Sequence, residues 1–193
     1  MCWRTPLSGH NHLPEDFEAV YASGVQWSGN PNQALIREAQ DFIPGSAIDV
    51  GCGEGADSVW LAERGWKVLA IDPAPTAIRR ARELAVQRGV DKRIEFCEAT
   101  IQGVGEQTFD LVSCFYLPMK AEELATLESL VAPGGNLLFV HHEHVHGDIM
   151  SPRAVADALT TLKVIELKST EREVAGGAGA HHTVDEVLIA RKA

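Results

Sequence analysis

Three closely spaced glycines follow a short apolar run in the first third of the chain. Residues 47–50 are apolar apart from one acid, and they lead directly into Gly51, Gly53 and Gly55. A strand that ends in glycines lets the backbone turn tightly and lets a ligand approach the main chain, because a Cβ there would clash. Asp72 ends the next apolar run, and its two oxygens can accept hydrogen bonds from both hydroxyls of a ribose. The pattern predicts a site for an adenosine-containing cofactor.

Apolar runs and helical patterns alternate from residue 46 onward, which is typical of a parallel sheet covered by helices on both faces. Strands are expected at 46–50, 66–71, 93–97, 109–115, 136–142, 163–174 and 183–191. Helices are expected at 56–64, 76–88, 120–131 and 152–162. Two further helices should precede the glycines, the second of them with Asn30 as its cap and Pro31 as its first residue. The eight residues 175–182 between the last two strands are too few for a crossover helix, so these strands should pair antiparallel.

Charge and cysteine usage restrict the partners and the compartment. Lys and Arg total 17 against 27 Asp and Glu, a formal net charge of −10, which repels phosphate backbones and anionic membrane surfaces. We therefore expect neither nucleic acid nor membrane as a partner, and the oligomeric state is left open. Four cysteines without a Cys-x-x-Cys pair indicate small buried residues in a reducing compartment rather than a disulfide framework. With no apolar signal core at residues 1–6, the expected location is cytoplasmic.

The 193 residues, 45% of them hydrophobic, predict a single domain over 1–193. A helical cover over 1–45 would precede a core over 46–193.

Two cofactor classes fit the glycine segment. It matches the G-x-G-x-x-[GA] pattern of dinucleotide sites, with Asp72 about 20 residues further on, so a nicotinamide-dependent oxidoreductase fits. Asp49, however, precedes the glycines, where a carboxylate would oppose a pyrophosphate but could help to hold an ammonium or sulfonium group. The Pro-Gly-Gly turn at 133–135 and the C-terminal hairpin are also foreign to a simple dinucleotide fold. Together these features favour a cationic adenosyl ligand.

Residues 46–140 resemble the core of the S-adenosylmethionine-dependent methyltransferases with a Rossmann-like sheet. Residues 47–55 resemble their first motif, Asp72 their ribose-binding acid, and residues 130–135 the turn before their fifth strand. The Trp-Ser-Gly-Asn-Pro segment at 27–31 and the short chain look most like the tellurite-resistance and thiopurine-type small-molecule branch. The resemblance implies an α/β three-layer sandwich. Its mostly parallel seven-stranded sheet would have the order 3-2-1-4-5-7-6, with the last strand antiparallel.

The same resemblance implies S-adenosylmethionine as cofactor and methyl transfer to a small soluble acceptor, such as a tellurite- or selenite-type oxyanion or a thiol. The residues expected at the cofactor are Trp27, Asp49, Gly51, Cys52, Gly53, Asp72, Pro73, Thr100, Ile101, Cys114 and Phe115. Pro73 and Ile101 would border the adenine. Thr100 stands where the family usually has an acid near the adenine amine, and it would offer one hydrogen bond instead. Trp27 would pack over the cofactor or anchor the N-terminal helices.

Methyl transfer needs mainly alignment, because the cofactor supplies the electrophile. A base helps only where the acceptor must lose a proton. The candidates are Tyr116, His142 and His144, which follow strands whose carboxyl ends should form the ligand-binding edge. The histidines of 141–146 and 181–182 should lie on that rim, where they contact substrate, hold a metal or face solvent; no metal is assigned. A non-catalytic sensor of an adenosyl ligand and a nicotinamide-dependent oxidoreductase are the alternatives.

Overall fold

A computed structural model of the chain describes residues 16–24, 29–142, 147–171 and 183–193. The expectations for Trp27, His144 and the histidines at 181–182 lie outside these residues. The strands are β1 Ser46–Val50, β2 Lys67–Asp72, β3 Ile94–Glu98, β4 Phe109–Phe115, β5 Val131–His142, β6 Leu162–Glu171 and β7 Val184–Lys192. The helices are α1 Asp16–Ala22, α2 Gln33–Ala39, α3 Ala56–Glu63, α4 Pro75–Gln87, α5 Leu124–Ser129 and α6 Pro152–Ala158. Short 3₁₀ turns lie at Asp91–Arg93, Ile101–Gly103 and Ala121–Glu123.

The seven strands form one sheet in the order β3-β2-β1-β4-β5-β7-β6, so the expected topology is confirmed. Strands β1 to β5 pair in parallel, and β7 pairs antiparallel with both β5 and β6. The order and the antiparallel β7 are those expected for a Rossmann-like three-layer sandwich. Because β7 runs against its two neighbours, it begins at the edge where β5 and β6 end. The carboxyl ends of six strands and the start of β7 therefore share one edge.

The sheet is buried on both faces, and alternate residues of a strand enter different core layers. Ala47 packs in the layer with α2, α3 and α4, whereas Ile48 packs in the layer with α5 and α6. This alternation explains why the central strands read as continuous apolar runs, as strands covered on both faces do. Trp66 and Phe139 are among the largest fully buried side chains. Among the described residues, the helices are too short or too polar to cross a membrane.

The expected cap of α2 is wrong. The helix begins at Gln33 with Asn32 as its N-cap, and the side chain of Asn32 makes no capping bond. Instead, the Asn32 amide donates to Asp57 Oδ2 at 2.6 Å, and the Asn32 backbone N–H donates to Oδ1 at 2.7 Å. A contact with α3 thus decides where α2 begins. Local capping signals at Asn30 and Pro31 could not reveal such a contact.

Strand β5 begins earlier than expected, at Val131 rather than at residue 136. Val131 pairs with Phe109, and regular pairing resumes with Leu111 opposite Asn136, so residues 132–135 form an irregularity in the strand. Gly135 is required there, because a Cβ would lie 2.8 Å from the carbonyl oxygen of Phe109. The Pro-Gly-Gly segment is therefore a bulge inside β5 and not a turn that precedes it.

Helix α6 is shorter than expected, because it ends at Ala158 rather than at residue 162. Glu128, which is 3% exposed, explains this boundary. Its Oε1 accepts backbone N–H groups of Thr160 at 2.8 Å, Thr161 at 2.6 Å and Leu162 at 3.2 Å. These bonds hold the segment in a non-helical path into β6.

We expect Gly55→Ala to destabilise the fold more than Gly89→Ala. Both glycines have left-handed φ angles, 87° and 70°, so both substitutions introduce backbone strain. Only at Gly55 would the new Cβ meet a neighbour, the Cβ of Ala81 at 2.6 Å, whereas nothing lies within 4 Å at Gly89. The free energy of unfolding in urea should fall by about 1–3 kcal/mol more for Gly55→Ala, because the α3–α4 contact is overpacked. Equal losses in the two variants would contradict this packing role.

Candidate functional site

The glycine loop between β1 and α3 is held against the end of β2 by its own backbone. The N–H groups of Gly51 and Cys52 both donate to the carbonyl oxygen of Ile71, at 2.9 Å each. Gly51 has a φ of 74°, and a Cβ at this position would lie 2.8 Å from Leu117 Cδ1. Leu117 therefore packs directly on the Gly51 main chain, which only glycine allows, and both residues line the cleft described below.

Asp72, the last residue of β2, joins this loop to the segment that follows β2. Its Oδ2 accepts from the N–H of Gly53 at 3.0 Å, and its Oδ1 accepts from the N–H of Ala74 at 2.9 Å. Burial raises the pKa of the Asp72 carboxyl above its ordinary value, and the two backbone hydrogen bonds offset only part of this rise. Each carboxylate oxygen has capacity for a second hydrogen bond, so both can still accept from a vicinal diol. The arrangement suits the expected contact with a ribose.

Asp49 lies beneath the loop, and 2% of it is exposed. The hydroxyl of Ser58 donates to its Oδ2 at 2.5 Å, and that of Ser113 donates to its Oδ1 at 3.4 Å. Burial first, and then the charge of Asp57, raises the pKa of Asp49 to about 7. A cationic ligand nearby would favour the charged carboxylate and offset part of this penalty.

A shallow cleft opens beside the loop at the carboxyl edge of β1 and β2. Its lining is mostly apolar and consists of Val50, Gly51, Ile71, Pro73, Ala99, Thr100, Ile101, Leu117, Pro118 and Glu123. Of the expected cofactor residues, Gly51, Pro73, Thr100 and Ile101 all line it. An apolar cleft with few polar groups is suited to a flat heterocycle.

Glu123 is the carboxylate of this cleft, and the sequence pattern did not single it out. Its Oε1 accepts from Gln102 Nε2 at 3.0 Å, and its Oε2 accepts from the backbone N–H of Lys120 at 2.9 Å. Leu117 was missed in the same way. Both residues come from the irregular segment after β4, where no periodicity or spacing links them to Thr100.

A second group of polar side chains lies at the same edge, where β4 and β5 end and β7 begins. The hydroxyl of Tyr116 donates to Asp185 Oδ2 at 2.7 Å, and His142 Nδ1 lies 3.2 Å from Asp185 Oδ1. The rings of Tyr116 and His142 are stacked with centroids 4.6 Å apart. The structure thus brings two expected catalytic residues together and adds Asp185, which is 3% exposed. The available signal was the pair of acids Asp185 and Glu186 near the start of a strand whose middle is apolar.

The remaining expected cofactor residues are deeply buried. Cys114 has no exposed surface and packs in the layer with α5 and α6, while Phe115 packs in the opposite layer. Neither residue lines the cleft. Cys52 is 9% exposed, and burial raises the pKa of its thiol well above the ordinary value. Direct contacts of these side chains with a cofactor stay predictions.

The cysteines differ in part from expectation. Cys52 and Cys114 are free, whereas Cys97 is disulfide-bonded, so the expectation of four unpaired thiols is wrong. The absence of a Cys-x-x-Cys pair says nothing about partners distant in sequence. Within the described ranges, no three His, Cys, Asp or Glu residues converge as metal ligands.

Helix α1 is tied to the residues around the site by polar contacts. The backbone N–H of Thr76, in the first turn of α4, donates to Glu18 Oε2 at 3.0 Å. Arg80 donates to the carbonyl oxygen of Gly24 at 2.6 Å and forms an ion pair with Glu54 of the glycine loop at 2.7 Å. The guanidinium of Arg80 therefore links the segment after α1 to the glycine loop.

Comparison with protein families matches residues 47–135 to a model described as a methyltransferase domain. A curated relative, the 2-heptyl-1-hydroxyquinolin-4(1H)-one methyltransferase of Mycobacteroides abscessus, is 36% identical over 89 residues, covering 41% of this chain and 39% of the relative. Across the first curated relatives, the matching part spans less than half of their length.

Solved structures share the fold over most of the chain. One comes from a study of the conversion of a disulfide bond into a thioacetal group during echinomycin biosynthesis; it has a TM-score of 0.77 and 22% identity and covers 94% of this chain and 92% of its own. TehB from Haemophilus influenzae has a TM-score of 0.67 and 15% identity over 84% of this chain and 62% of its own. Methyltransferases with bound S-adenosylmethionine or S-adenosylhomocysteine are also among the neighbours. The family and these neighbours support S-adenosylmethionine as the cofactor.

We expect Asp49→Asn to change how stability depends on pH. A raised carboxyl pKa means that the folded state holds the proton more tightly than the unfolded state, whose pKa is near the ordinary 3.8. As pH rises from about 4 to about 7 the unfolded chain releases this proton first, so the wild type loses stability over that range. The asparagine does not titrate, and the free energy of unfolding of the variant relative to wild type should rise between pH 5 and pH 8.

Asp110→Asn is the matched control. Hydrogen bonds from Ser46 lower the pKa of Asp110, so its contribution is complete above about pH 4 and is lost only at lower pH. Its difference from wild type should be flat between pH 5 and pH 8. The measurement is the free energy of unfolding in urea as a function of pH. If it changed with pH in the same way for wild type and Asp49→Asn, the raised pKa of Asp49 would be contradicted.

Proposed function

We propose that this chain, whose residues 47–135 match a model described as a methyltransferase domain, transfers a methyl group from S-adenosylmethionine to a small soluble acceptor. One observation carries the proposal: the N–H groups of Gly53 and Ala74 fix Asp72 beside the glycine loop, and its chain neighbours Ile71 and Pro73 line the apolar cleft. A ribose bound to Asp72 would have the cleft on one side and the loop on the other. This is the arrangement that an adenosyl ligand with a charged tail requires.

The residues present fit the parts of that cofactor. Pro73 and Ile101 offer apolar surface for the adenine, and Thr100 and Glu123 offer oxygen acceptors for its amine. The glycine loop would accommodate the methionine part, with Asp49 beneath it. When bound, the cofactor supplies an electrophilic methyl group. The chain's own part is to bind, orient and exclude water.

The acceptor proposed here is small because the described chain adds little to the sheet and its flanking helices. The net charge of −10 supports the same view, since it disfavours nucleic acid and anionic lipid. A cytoplasmic location and a single domain with residues 1–45 as a cover are parts of this proposal. A tellurite- or thiol-type acceptor is part of the proposal through the resemblance carried by residues 27–31; TehB, at 15% identity, shares the fold alone.

We expect methyl transfer to at least one small acceptor in a panel of catechol, a hydroxyquinolinone, 2-mercaptoethanol, tellurite and selenite. The rate is measured as release of S-adenosylhomocysteine with the methylated product identified by mass. Tight binding of S-adenosylhomocysteine without a methylated product from any class would contradict an enzyme and favour a non-catalytic sensor.

We also expect Glu123 to contribute to the preference for adenine. A carboxylate accepts from the adenine amine but repels the carbonyl oxygen that replaces this amine in hypoxanthine, whereas an amide can bond either group. Glu123→Gln should reduce the affinity ratio of S-adenosylhomocysteine to S-inosylhomocysteine by about tenfold, measured by calorimetry.

Glu122→Gln is the control for this measurement, because Glu122 lies in the same 3₁₀ turn but is exposed and outside the cleft. It should retain the wild-type ratio. An unchanged ratio in Glu123→Gln would show that Glu123 does not contact the base.

A further inference from the structure

The carboxylate of Asp185 holds together an aromatic residue and a histidine that come from two other strands. His142, at the end of β5, stands opposite Asp185 in the β5–β7 register. Tyr116 follows β4, and its backbone N–H donates to the carbonyl oxygen of Val140 in β5. Tyr116 also has a φ of 53°, a left-handed conformation that costs a non-glycine residue about 1–3 kcal/mol. The surrounding contacts therefore hold the backbone of Tyr116 in a conformation that is unfavourable for a residue other than glycine.

We infer that Asp185 is a positioning residue that fixes the tautomer of His142, with the proton on Nδ1 and the basic lone pair on Nε2, and that the acceptor is protic. This inference rests on the proposed methyl transfer for the identity of the acceptor. The assignment of the tautomer rests on the hydrogen bonds alone.

The tautomer follows from which groups can donate. A carboxylate only accepts, and the hydroxyl of Tyr116 already donates to Asp185 Oδ2. The contact between His142 Nδ1 and Asp185 Oδ1, 3.2 Å, is a hydrogen bond only if Nδ1 carries the proton. In a neutral imidazole the lone pair then lies on Nε2.

The adjacent histidine has the opposite tautomer. The backbone N–H of His142 donates to His141 Nδ1 at 2.9 Å, so this nitrogen must carry the lone pair. Neutral His141 therefore has its proton on Nε2. The rings of the two residues are 5.5 Å apart and nearly perpendicular. Two neighbouring histidines with different tautomers provide an internal standard.

This arrangement suits an acceptor that bears a proton, such as a phenol or another hydroxyl compound. His142 Nε2 takes the proton of the acceptor O–H, and the electron pair released on oxygen forms the new bond to the methyl carbon. The carbon–sulfur bond breaks with its electrons remaining on sulfur, which becomes a neutral thioether. Asp185 stabilises the resulting imidazolium, as a buried carboxylate next to a histidine does. A fully deprotonated oxyanion would not need this base.

The wild-type protein alone tests the tautomers. Long-range ¹⁵N–¹H correlation spectra at pH 8 distinguish protonated from unprotonated ring nitrogens. His142→Gln assigns the signals. We expect an Nδ1–H ring for His142 and an Nε2–H ring for His141, and the same tautomer in both would overturn the inference.

Asp185→Asn separates positioning from general stability. The variant should remove the preference of His142 for Nδ1–H and leave the His141 signals and the affinity for S-adenosylhomocysteine unchanged. Asp157→Asn, at an exposed position in α6, should leave both rings unchanged. A His142 tautomer that persists in Asp185→Asn would show that Asp185 does not set it.

Activity then tests the acceptor class. Asp185→Asn should lower kcat for methylation of a hydroxyl acceptor by about 10- to 100-fold with little change in KM, because a misoriented base slows only proton removal. Wild-type spectra with opposite tautomers but methyl transfer confined to tellurite or selenite would overturn the protic acceptor. Failure to bind S-adenosylhomocysteine would instead overturn the proposed function, and the spectra would still decide the tautomers.

Discussion

Backbone N–H groups in the loops and at the starts of helices have no partner in the sheet, and in this protein buried carboxylates accept several of them. Asp72 accepts from Gly53 and Ala74 and so ties the glycine loop to the end of β2. Glu128 does the same for the residues between α6 and β6, and Glu186 accepts the backbone N–H of Arg153. A buried N–H without an acceptor is unfavourable, so these side chains decide which loop conformations are stable. Much of the site geometry depends on this use of acids.

Two further carboxyl groups lie buried near the glycine loop. Asp49 and Asp57 are both buried, and burial raises the pKa of Asp57 to about 6 as well. Charges of one sign so close together favour the uptake of a proton or the approach of a cation. The excess of acids in the sequence is therefore partly an internal feature and not only a solvated surface. A ligand with a positive charge beside the glycine loop would stabilise the ionised form of these carboxylates.

Periodicity and glycine spacing were sufficient to locate most strands and the loop, because both depend on signals within single elements. The strand order came instead from the resemblance to a known family. Asp185, by contrast, meets Tyr116 and His142 only through the β5–β7 register, and Glu123 reaches the cleft from an irregular segment. The cap expected at Asn30 failed for a related reason, since Asn32 bonds to Asp57 in a different helix. Contacts between distant elements leave no spacing pattern, so residues that depend on them emerge only from the fold.

The central claim is that the loop, Asp72 and the cleft bind an adenosyl cofactor rather than a dinucleotide, although the glycine pattern fits both. Calorimetric titration of the wild-type protein with S-adenosylhomocysteine and, separately, with NAD tests it most directly. The account predicts saturable 1:1 binding of S-adenosylhomocysteine and no measurable heat with NAD. Tight binding of NAD without binding of S-adenosylhomocysteine would contradict it.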